Sequence, residues 1–358
     1  MEMLTFNAEG GYLEGVVRGY RNSLLSSSTY SSLAQCETLE DIKMQLSATD
    51  YGNLLANDQP PLTTSIIAER ATEKLVAEFR YLQNNACGNL AKFLEYLTYS
   101  YMIDNLVLLI TGTLHERDTH ELLDRCHPLG SFDSMPALCV ATTVEELYNS
   151  VVVETPLAPY FRECLSASDL DDLNIEIIRN TLYKAYLEDF YKFCQTLGGT
   201  TASAMGTLLS FEADRRTLNI TINSFGTTLS KEQRAKLFPC VGKLYPEGNN
   251  ALARADDVEQ VKSVCDMVPE YSSWWKDSGI GDSDGSEVEE LERKMFKEET
   301  RCECTASCRA FLPKSLTLCT KHLFQRSVLV NRIETITQFN YAPFYSWLKV
   351  RCLRSRSK

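Results

Sequence analysis

The side chains best suited to bind a metal ion lie in a cysteine-rich stretch near the end of the sequence. Four cysteines and a histidine follow the pattern Cys-x-Cys-x3-Cys-x10-Cys-x2-His, namely Cys302, Cys304, Cys308, Cys319 and His322. Thiolates and imidazoles are the ligands of structural zinc sites, but those sites usually pair their cysteines as Cys-x2-4-Cys. We therefore predict no metal site here. An enzyme that holds zinc in this stretch is the least favoured of the functions considered.

Two other stretches carry catalytic residue types at unsuitable spacing. His115 and His120 are five residues apart, whereas zinc hydrolases place two histidines at i and i+4. Gly279–Gly285 has neither a predicted strand before it, as a dinucleotide-binding turn requires, nor the ligand spacing of an EF-hand. The sequence contains no Gly-x4-Gly-Lys-Ser/Thr phosphate loop, so it does not predict ATP binding. We expect a protein without catalytic residues, cofactor or metal of its own.

The composition predicts a globular chain outside the secretory pathway. Its 358 residues are 44% hydrophobic, which is enough for a large core. The longest apolar stretch, residues 101–111, carries Asp104 and Asn105 and is too short to span a bilayer. Glu2 stands where a secretory signal would be basic, and most of the 13 cysteines are scattered singly. We expect reduced thiols and a cytosolic protein that binds membranes peripherally, if at all.

Charge is distributed unevenly along the chain. Residues 300–358 hold 11 of the 36 basic residues and 2 of the 48 acidic ones, so that residues 1–299 are strongly acidic. Nucleic acid requires the opposite sign, because its phosphates are negatively charged. The main part of the chain is therefore not expected to bind nucleic acid.

A short pattern occurs three times and defines the expected architecture. Each copy has a leucine, five residues, an aliphatic residue, glutamate, any residue and an aliphatic residue, beginning at Leu33, Leu138 and Leu252. In each copy a residue suited to cap a helix stands three positions before an acidic residue or glutamine, and these caps are Thr38, Thr143 and Asp257. The repeat predicts three related lobes, each with a helix that begins at this point.

Apolar residues elsewhere recur at helical spacing. This periodicity predicts long helices over residues 63–82, 90–111, 169–194 and 200–225. No segment alternates in the manner of a strand followed by a hairpin turn. The predicted fold class is all-α, with helical lobes over residues 1–60, 61–168 and 169–268, followed by an acidic loop, late helices and a divergent basic, Cys-rich tail over residues 269–358.

Many longer strings resemble one family, that of V-type (vacuolar) proton ATPase subunit d. They include Gly11-Tyr-Leu-Glu-Gly-Val-Val-Arg-Gly-Tyr-Arg-Asn22, Thr49-Asp-Tyr-Gly-Asn53, Arg125-Cys-His-Pro-Leu-Gly130, Phe211-Glu-Ala-Asp-Arg-Arg216 and Gly242-Lys-Leu-Tyr-Pro246. These strings occur in the same order as in the family, from residue 1 to about residue 268. The resemblance weakens after Pro269 and is lost over residues 301–330, and the acidic and Trp/Ile-rich helices that end the family's chains are not found after Lys349.

The resemblance implies a function as well as a fold. The family forms a funnel of three pseudo-symmetric helical lobes in the Vo sector, a non-catalytic socket that couples the central stalk to the proteolipid c-ring during ATP-driven proton transport. The implied partners are the c-ring, stalk subunits D and F, and subunit a, with one copy per complex. The implied location is the cytosolic face of vacuolar, lysosomal or endosomal membranes. The alternative is a free helical adaptor protein that no longer assembles into the pump.

Charged residues in two family-like strings are the candidates for the polar wall of the socket. These two strings are the richest in charge, and the candidates are Arg18, Arg21, Glu212, Asp214 and Arg216. An ordinary helix-surface ion pair at residues 214–216 is the competing interpretation, and it would contribute only a few tenths of a kcal/mol.

Overall fold

The structure is a computed structural model, and every element that it describes is helical. It describes residues 11–23, 25–115, 117, 119–133, 135, 146, 149, 155–164, 175–276 and 295. These residues fall into two compact units, one up to Leu94 and one from Glu95 onward.

In the described part of the first unit there are four helices and the start of a fifth. They are α1 (Gly11–Asn22), α2 (Ser27–Ala34), α3 (Leu39–Ser47), α4 (Thr64–Asn85) and the first turns of α5 (Gly88–Leu114). The core of this unit contains Leu33, Leu46, Tyr51 and Ile67, all at most 1% exposed. These residues come from α2, α3, α4 and the turn between α3 and α4, so burying them fixes the three helices together.

Two of these helices begin where the sequence predicts. Thr38 caps α3 through a capping box, in which its Oγ1 accepts from the amide of Asp41 and the Asp41 carboxylate accepts from the amide of Thr38, both at 3.1 Å. The hydroxyl of Thr63 caps α4 by accepting from the amide of Ile66. Each cap supplies a partner for an amide that lacks one within the helix, which typically contributes about 1 kcal/mol.

The remaining helices belong to the second unit. After α5 these are α6 (Thr119–Arg125), α7 (Ala158–Cys164), α8 (Ile175–Leu197), α9 (Gly199–Asn223), α10 (Lys231–Leu237), α11 (Glu247–Arg254), α12 (Val258–Cys265) and α13 (Pro269–Lys276). The longest of them, α8 and α9, pack against each other over much of their length. They form the framework on which the shorter helices are placed.

One hydrophobic core of the second unit lies where α9 meets α10–α13. Leu218, Leu252, Val261 and Cys265 are fully buried there, together with the ring of Tyr271. These apolar residues recur every three or four positions on short helices, and only the shared core can bury them. The stability of α10–α13 therefore depends on tertiary packing.

The predicted helix caps agree with the structure wherever it describes them. Asp257 caps α12 by accepting from the amide of Gln260 at 2.8 Å, and Thr38 caps α3 as described above. Thr143 lies outside the described residues. The all-α fold class is confirmed for the described residues, whereas the three-lobed funnel and its four predicted segment boundaries stay predictions.

The long helices follow the predicted ranges closely. The periodicity over residues 63–82, 90–111 and 200–225 corresponds to α4, α5 and α9. The predicted start at residue 169 lies outside the described residues, and α8 is described from Ile175 onward. Within the part of the chain that the structure describes, none of the helices has both the length and the apolar character needed to cross a membrane.

Candidate functional site

The predicted socket residues of the first unit lie on α1. Arg18 pairs with Glu14 one turn earlier, through its Nε at 3.0 Å and a second contact from Nη2. The Arg18 side chain is 52% exposed. An exposed pair of this kind contributes only about 0.3–0.5 kcal/mol. Arg21 lies on the same helix, and its side chain lies outside the described residues.

The predicted residues of the second unit lie on α9, where Glu212 holds two arginines at once. Its carboxylate accepts from Arg215 Nε at 2.8 Å and Nη2 at 2.7 Å, and from Arg216 Nε at 2.9 Å. The three side chains are 22%, 7% and 16% exposed for Glu212, Arg215 and Arg216. Because water is largely removed from this cluster, its charges interact more strongly than those of Glu14 and Arg18.

The arginine cluster is anchored to two neighbouring helices. The Arg216 guanidinium lies over the ring of Tyr183 on α8, 3.4 Å from the ring centroid. The Tyr183 hydroxyl in turn donates to the carbonyl oxygen of Ser100 on α5 at 3.1 Å. A cation stacked on an aromatic ring gains about 0.5–2 kcal/mol, depending on its desolvation. The stack holds Arg216 in one position at the edge of the helix pair.

Asp214 lies on the same helix but is only 1% exposed, and its contacts are with a different part of the unit. Its carboxylate accepts from the amides of Lys243 at 2.8 Å and Leu244 at 3.2 Å, and from the Tyr271 hydroxyl at 2.7 Å. Gly242 approaches so closely that a Cβ there would lie 2.1 Å from Asp214 Oδ1. Asp214 therefore fixes the segment 242–244 against α9 and does not present its charge to solvent.

The surroundings of Asp214 favour its neutral form. Burial raises the pKa of its carboxyl to about 6, against hydrogen bonds from Tyr271, Lys243 and Leu244 that act to lower it. The Lys243 ammonium, which also acts to lower the pKa of Asp214, is paired with Glu270 at 2.5 Å. The loss of hydration therefore raises the pKa of Asp214 by more than the three hydrogen bonds lower it.

A second, partly buried polar cluster joins α5, α7 and α8. Asp189 Oδ2 accepts from the hydroxyls of Tyr96 at 2.9 Å and Tyr160 at 2.8 Å. Tyr96 also stacks on Phe190 and Phe193, with ring centroids 5.0 and 4.9 Å apart. Burial, reinforced by the Asp189 carboxylate, raises the pKa of both tyrosines, so they stay protonated as donors. This cluster has the features of a structural junction between helices.

An open groove of about 480 Å³ runs between α8 and α9. Small and polar side chains line it, together with one lysine: Tyr191, Gln195, Ala202, Ser203, Gly206, Thr207, Ser210 and Lys243. Within the described residues, no three His, Cys, Asp or Glu side chains are placed to hold a metal ion. The groups present suit recognition by charge and hydrogen bonding.

The structure brings some of the predicted site residues together and separates others. Glu212 and Arg216 share one cluster, whereas Asp214 on the same helix binds the segment 242–244. Arg215 and Tyr183 were missed. Arg215 could have been found, because it lies three residues after Glu212 and such pairs face each other on a helix. Tyr183 could not, since its contact with Arg216 joins two helices.

Histidines, cysteines and one acidic loop are the remaining candidates for catalysis or metal binding. His115 lies exposed in the turn after α5, and α6 begins at Thr119. The cysteine-rich stretch at residues 302–322 and the loop at residues 279–285 lie outside the described residues, so the prediction of no zinc site stays a prediction. The six cysteines for which the structure gives a state are free thiols.

Comparison with known proteins identifies the family. Residues 13–352 match the model of the ATP synthase (C/AC39) subunit family. The V-type proton ATPase subunit d of Neurospora crassa is 52% identical over 364 aligned residues, which cover 98% of this chain and 92% of that protein. The chain belongs to the family of V-type proton ATPase subunit d. The match runs through residues 301–330, a stretch where the sequence alone showed no family-like string.

Other members of the subunit d family agree with this assignment. V-type proton ATPase subunit d1 of Arabidopsis thaliana is 49% identical, covering 98% of this chain and 90% of its own length. The subunit d of Saccharomyces cerevisiae is 50% identical over 303 residues, covering 84% of this chain and 88% of its own. Identity at this level extends over nearly the whole chain, so the resemblance is not confined to a few motifs.

Proposed function

We propose that this chain is the non-catalytic subunit d of a rotary V-type proton-transporting ATPase. In this function it is a socket on the cytosolic face of the membrane that couples the central stalk to the proteolipid c-ring, so that ATP hydrolysis elsewhere drives proton transport and organelle acidification. The observation that supports it is the 52% identity over 98% of the chain to a protein named V-type proton ATPase subunit d.

A coupling subunit must transmit force without deforming, and the second unit has suitable features. The long helices α8 and α9 are packed along their length. Aromatic rings of α5 and α8 stack on one another, and Asp189 joins α5, α7 and α8 through tyrosine hydroxyls. Close-packed interiors have low compressibility, so such a unit moves as a body under load.

We assign the stalk contact to the charged residues predicted from sequence, in two roles. Arg18, Arg21, Glu212 and Arg216 contact the stalk directly. Asp214 is buried, so it acts by fixing the segment 242–244. A partly exposed charged wall gives adaptable contacts and orients the partner before it docks.

The proposed partners are those of an assembled pump: the proteolipid c-ring, stalk subunits D and F, and subunit a. One copy per complex binds peripherally at the cytosolic face of vacuolar, lysosomal or endosomal membranes. Nucleic acid is not among the partners, because residues 1–299 are strongly acidic.

Complementation tests the proposal directly. The full chain is expressed in yeast cells that lack their own subunit d, and vacuolar membranes are assayed for ATP-driven proton transport and for proteolipid that copurifies with the chain. We expect both to be restored. A folded chain that copurifies with neither proteolipid nor stalk, and restores no transport, would overturn the proposal and favour the free adaptor.

A charge reversal tests the residue assignment separately. Arg216→Glu should reduce stalk binding several-fold, because it places two carboxylates together in the half-buried cluster. The matched control is Arg125→Glu in the same unit, which breaks the exposed pair of Arg125 with Glu121 and should leave stalk binding unchanged. Equal binding by both variants, with normal helical content, would remove Arg216 from the socket.

A further inference from the structure

Among the residues that the structure describes, no cation contacts the buried carboxylate of Asp214 in the second unit. Asp214 is 1% exposed, and the three groups that donate to it are two backbone amides and a tyrosine hydroxyl, all uncharged. The Lys243 ammonium pairs with Glu270 at 2.5 Å. A buried charge that lacks a contacting partner of opposite charge is costly, and the usual response is to take up a proton.

The hydrogen-bond geometry around Asp214 can accommodate a proton on its carboxyl group. Oδ2 contacts both the amide of Lys243 and the hydroxyl of Tyr271. Amides can only donate, whereas a tyrosine hydroxyl can donate or accept. When Oδ2 carries a proton, it can donate that proton to the Tyr271 oxygen while its remaining lone pair still accepts from Lys243. The neutral carboxyl therefore retains all of its neighbours and loses the cost of a buried charge.

The segment that Asp214 binds connects this site to the groove between α8 and α9. We call residues 242–244 the latch segment. Lys243 of this segment lines the groove with its side chain and donates to Asp214 with its backbone. Gly242 has φ +127°, which strongly favours glycine, and it leaves no room for a Cβ beside Asp214. Any outward movement of the segment therefore carries Lys243 with it and exposes the carboxylate to water.

Other charged groups near Asp214 are few in the part of the chain that the structure describes. Lys243 of the latch segment and Tyr271 of α13 act on it directly, and Glu270 of α13 partly neutralises Lys243. Three further charged residues lie near Asp214 on its own helix. Among these, Glu212 accepts from both Arg215 and Arg216. Asp214 is thus the group whose ionisation changes when the latch segment moves.

We propose that Asp214 makes the latch segment a proton-dependent switch, which is held closed more firmly when the carboxyl is protonated and opens more readily when it is ionised. The direction follows from linkage: a group that binds its proton more tightly in the closed state favours that state as pH falls. The switch controls whether the cationic end of the groove is in place. It goes beyond the coupling function and does not depend on it.

The pH range of the effect follows from the two states of the carboxyl. With a pKa of about 6 when buried and the ordinary value of 3.8 when exposed, closure is favoured most below pH 3.8 and progressively less up to about pH 6. Above that pH the population of the open form stays level. Between pH 7 and pH 5 this linkage predicts that opening becomes about tenfold rarer.

Hydrogen exchange of the Lys243 and Leu244 amides in the full chain measures this opening. After correction for intrinsic exchange rates, we expect protection to be about tenfold greater at pH 5 than at pH 7. Asp214→Asn should abolish that dependence at these two amides. The matched control is Asp189→Asn, which alters another carboxylate with two tyrosine donors and should leave the dependence intact.

Tyr271→Phe keeps the carboxyl and removes a hydrogen bond that lowers its pKa. The pKa of Asp214 should then rise further and the pH dependence should become larger, so this variant keeps the test decisive if Asp214→Asn does not fold. Protection in the wild-type chain that is equal at pH 5 and pH 7, or smaller at pH 5, would overturn the proposal. The second of these results would mean that the three hydrogen bonds outweigh burial.

Discussion

The helix α1 and the helix pair α8–α9 carry similar polar contacts in different surroundings. On α1, Arg18 pairs with Glu14 four residues away while 52% of its side chain stays exposed. On α9, Arg216 pairs with Glu212 at the same spacing but is only 16% exposed and stacked on a ring. Equal spacing along a helix therefore does not imply equal strength, because strength depends on how far the neighbouring helices exclude water.

Glycine positions should give the largest difference between the two regions. Gly242→Ala places a Cβ 2.1 Å from Asp214 Oδ1 at φ +127°, and strain plus overpacking should cost about 3–5 kcal/mol of unfolding free energy. Gly19→Ala on α1 adds a Cβ with nothing within 4 Å and should stabilise by up to about 1 kcal/mol. Urea denaturation followed by helical circular dichroism measures both. Similar stabilities would show that the segment 242–244 is not held against α9.

The pH dependence of the unfolding free energy should be the next largest effect, and it should arise from Asp214 on α9. Since the pKa of Asp214 is raised to about 6 from 3.8, its stabilising contribution is complete below pH 3.8 and is lost as pH rises to about 6. Between pH 4 and pH 7 the wild type should lose a little over ~2 kcal/mol relative to Asp214→Asn. Unfolding curves of the wild type and of Asp214→Asn, each recorded at both pH values, measure this difference. The other titrating groups are the same in both proteins, so their contributions cancel. A difference that does not change with pH would contradict the assignment.

Removal of one carboxylate from each ion-pair cluster should separate the two helices again. Glu212→Gln leaves two largely buried arginines without their shared counter-charge, and we expect a loss of about 2 kcal/mol. Glu14→Gln on α1 breaks a pair in which Glu14 is 17% exposed and Arg18 is half exposed. Because water can solvate Arg18 once the pair is broken, the change should cost less than about 0.5 kcal/mol. Thermal unfolding at low and at 0.5 M salt is the measurement, and only the α1 pair should weaken appreciably with salt. Equal losses would mean that burial does not strengthen the Glu212 cluster.

The smallest of these differences should come from two tyrosine hydroxyls. Tyr160→Phe leaves the partly buried Asp189 carboxylate with one donor fewer and should cost about 1–1.5 kcal/mol. Tyr81→Phe removes a hydroxyl that contacts Tyr12 of α1 at the surface, where water can replace it, so the change should be close to zero. Denaturation midpoints of the two variants give the comparison. A larger loss for Tyr81→Phe would show that the α1 contact is stronger than its exposure indicates.

Much of the fold could be predicted because it depends on local sequence. The caps at Thr38, Thr63 and Asp257 each accept a hydrogen bond from an amide three residues later, so a few consecutive residues determine them. The ranges of α4, α5 and α9 follow from apolar periodicity in the same way. The pairing of Glu212 with Arg215 and Arg216 also needs only the geometry of one helix.

The functions of individual charged residues could not be predicted in this way. Asp214 was grouped with Arg216 because both lie in one charged string, yet Asp214 is buried against residues 242–244 and Tyr271. Arg234 is also buried, and its guanidinium donates to the carbonyl oxygen of Ala255 at 2.6 Å, next to the end of α11. Both contacts join residues more than 20 positions apart, and a single sequence carries no signal of such a contact.

The sequence by itself therefore determined the helices, their caps and the family, because each depends on neighbouring residues or on identity along the whole chain. The tertiary structure alone decided which charges lose their water. The hydration of a side chain is set by whatever packs over it, and on α9 those groups come from α8, α13 and the segment 242–244. For that reason three residues within one stretch of five have different surroundings: Glu212 and Arg216 share an ion-pair cluster, whereas Asp214 is a buried carboxyl.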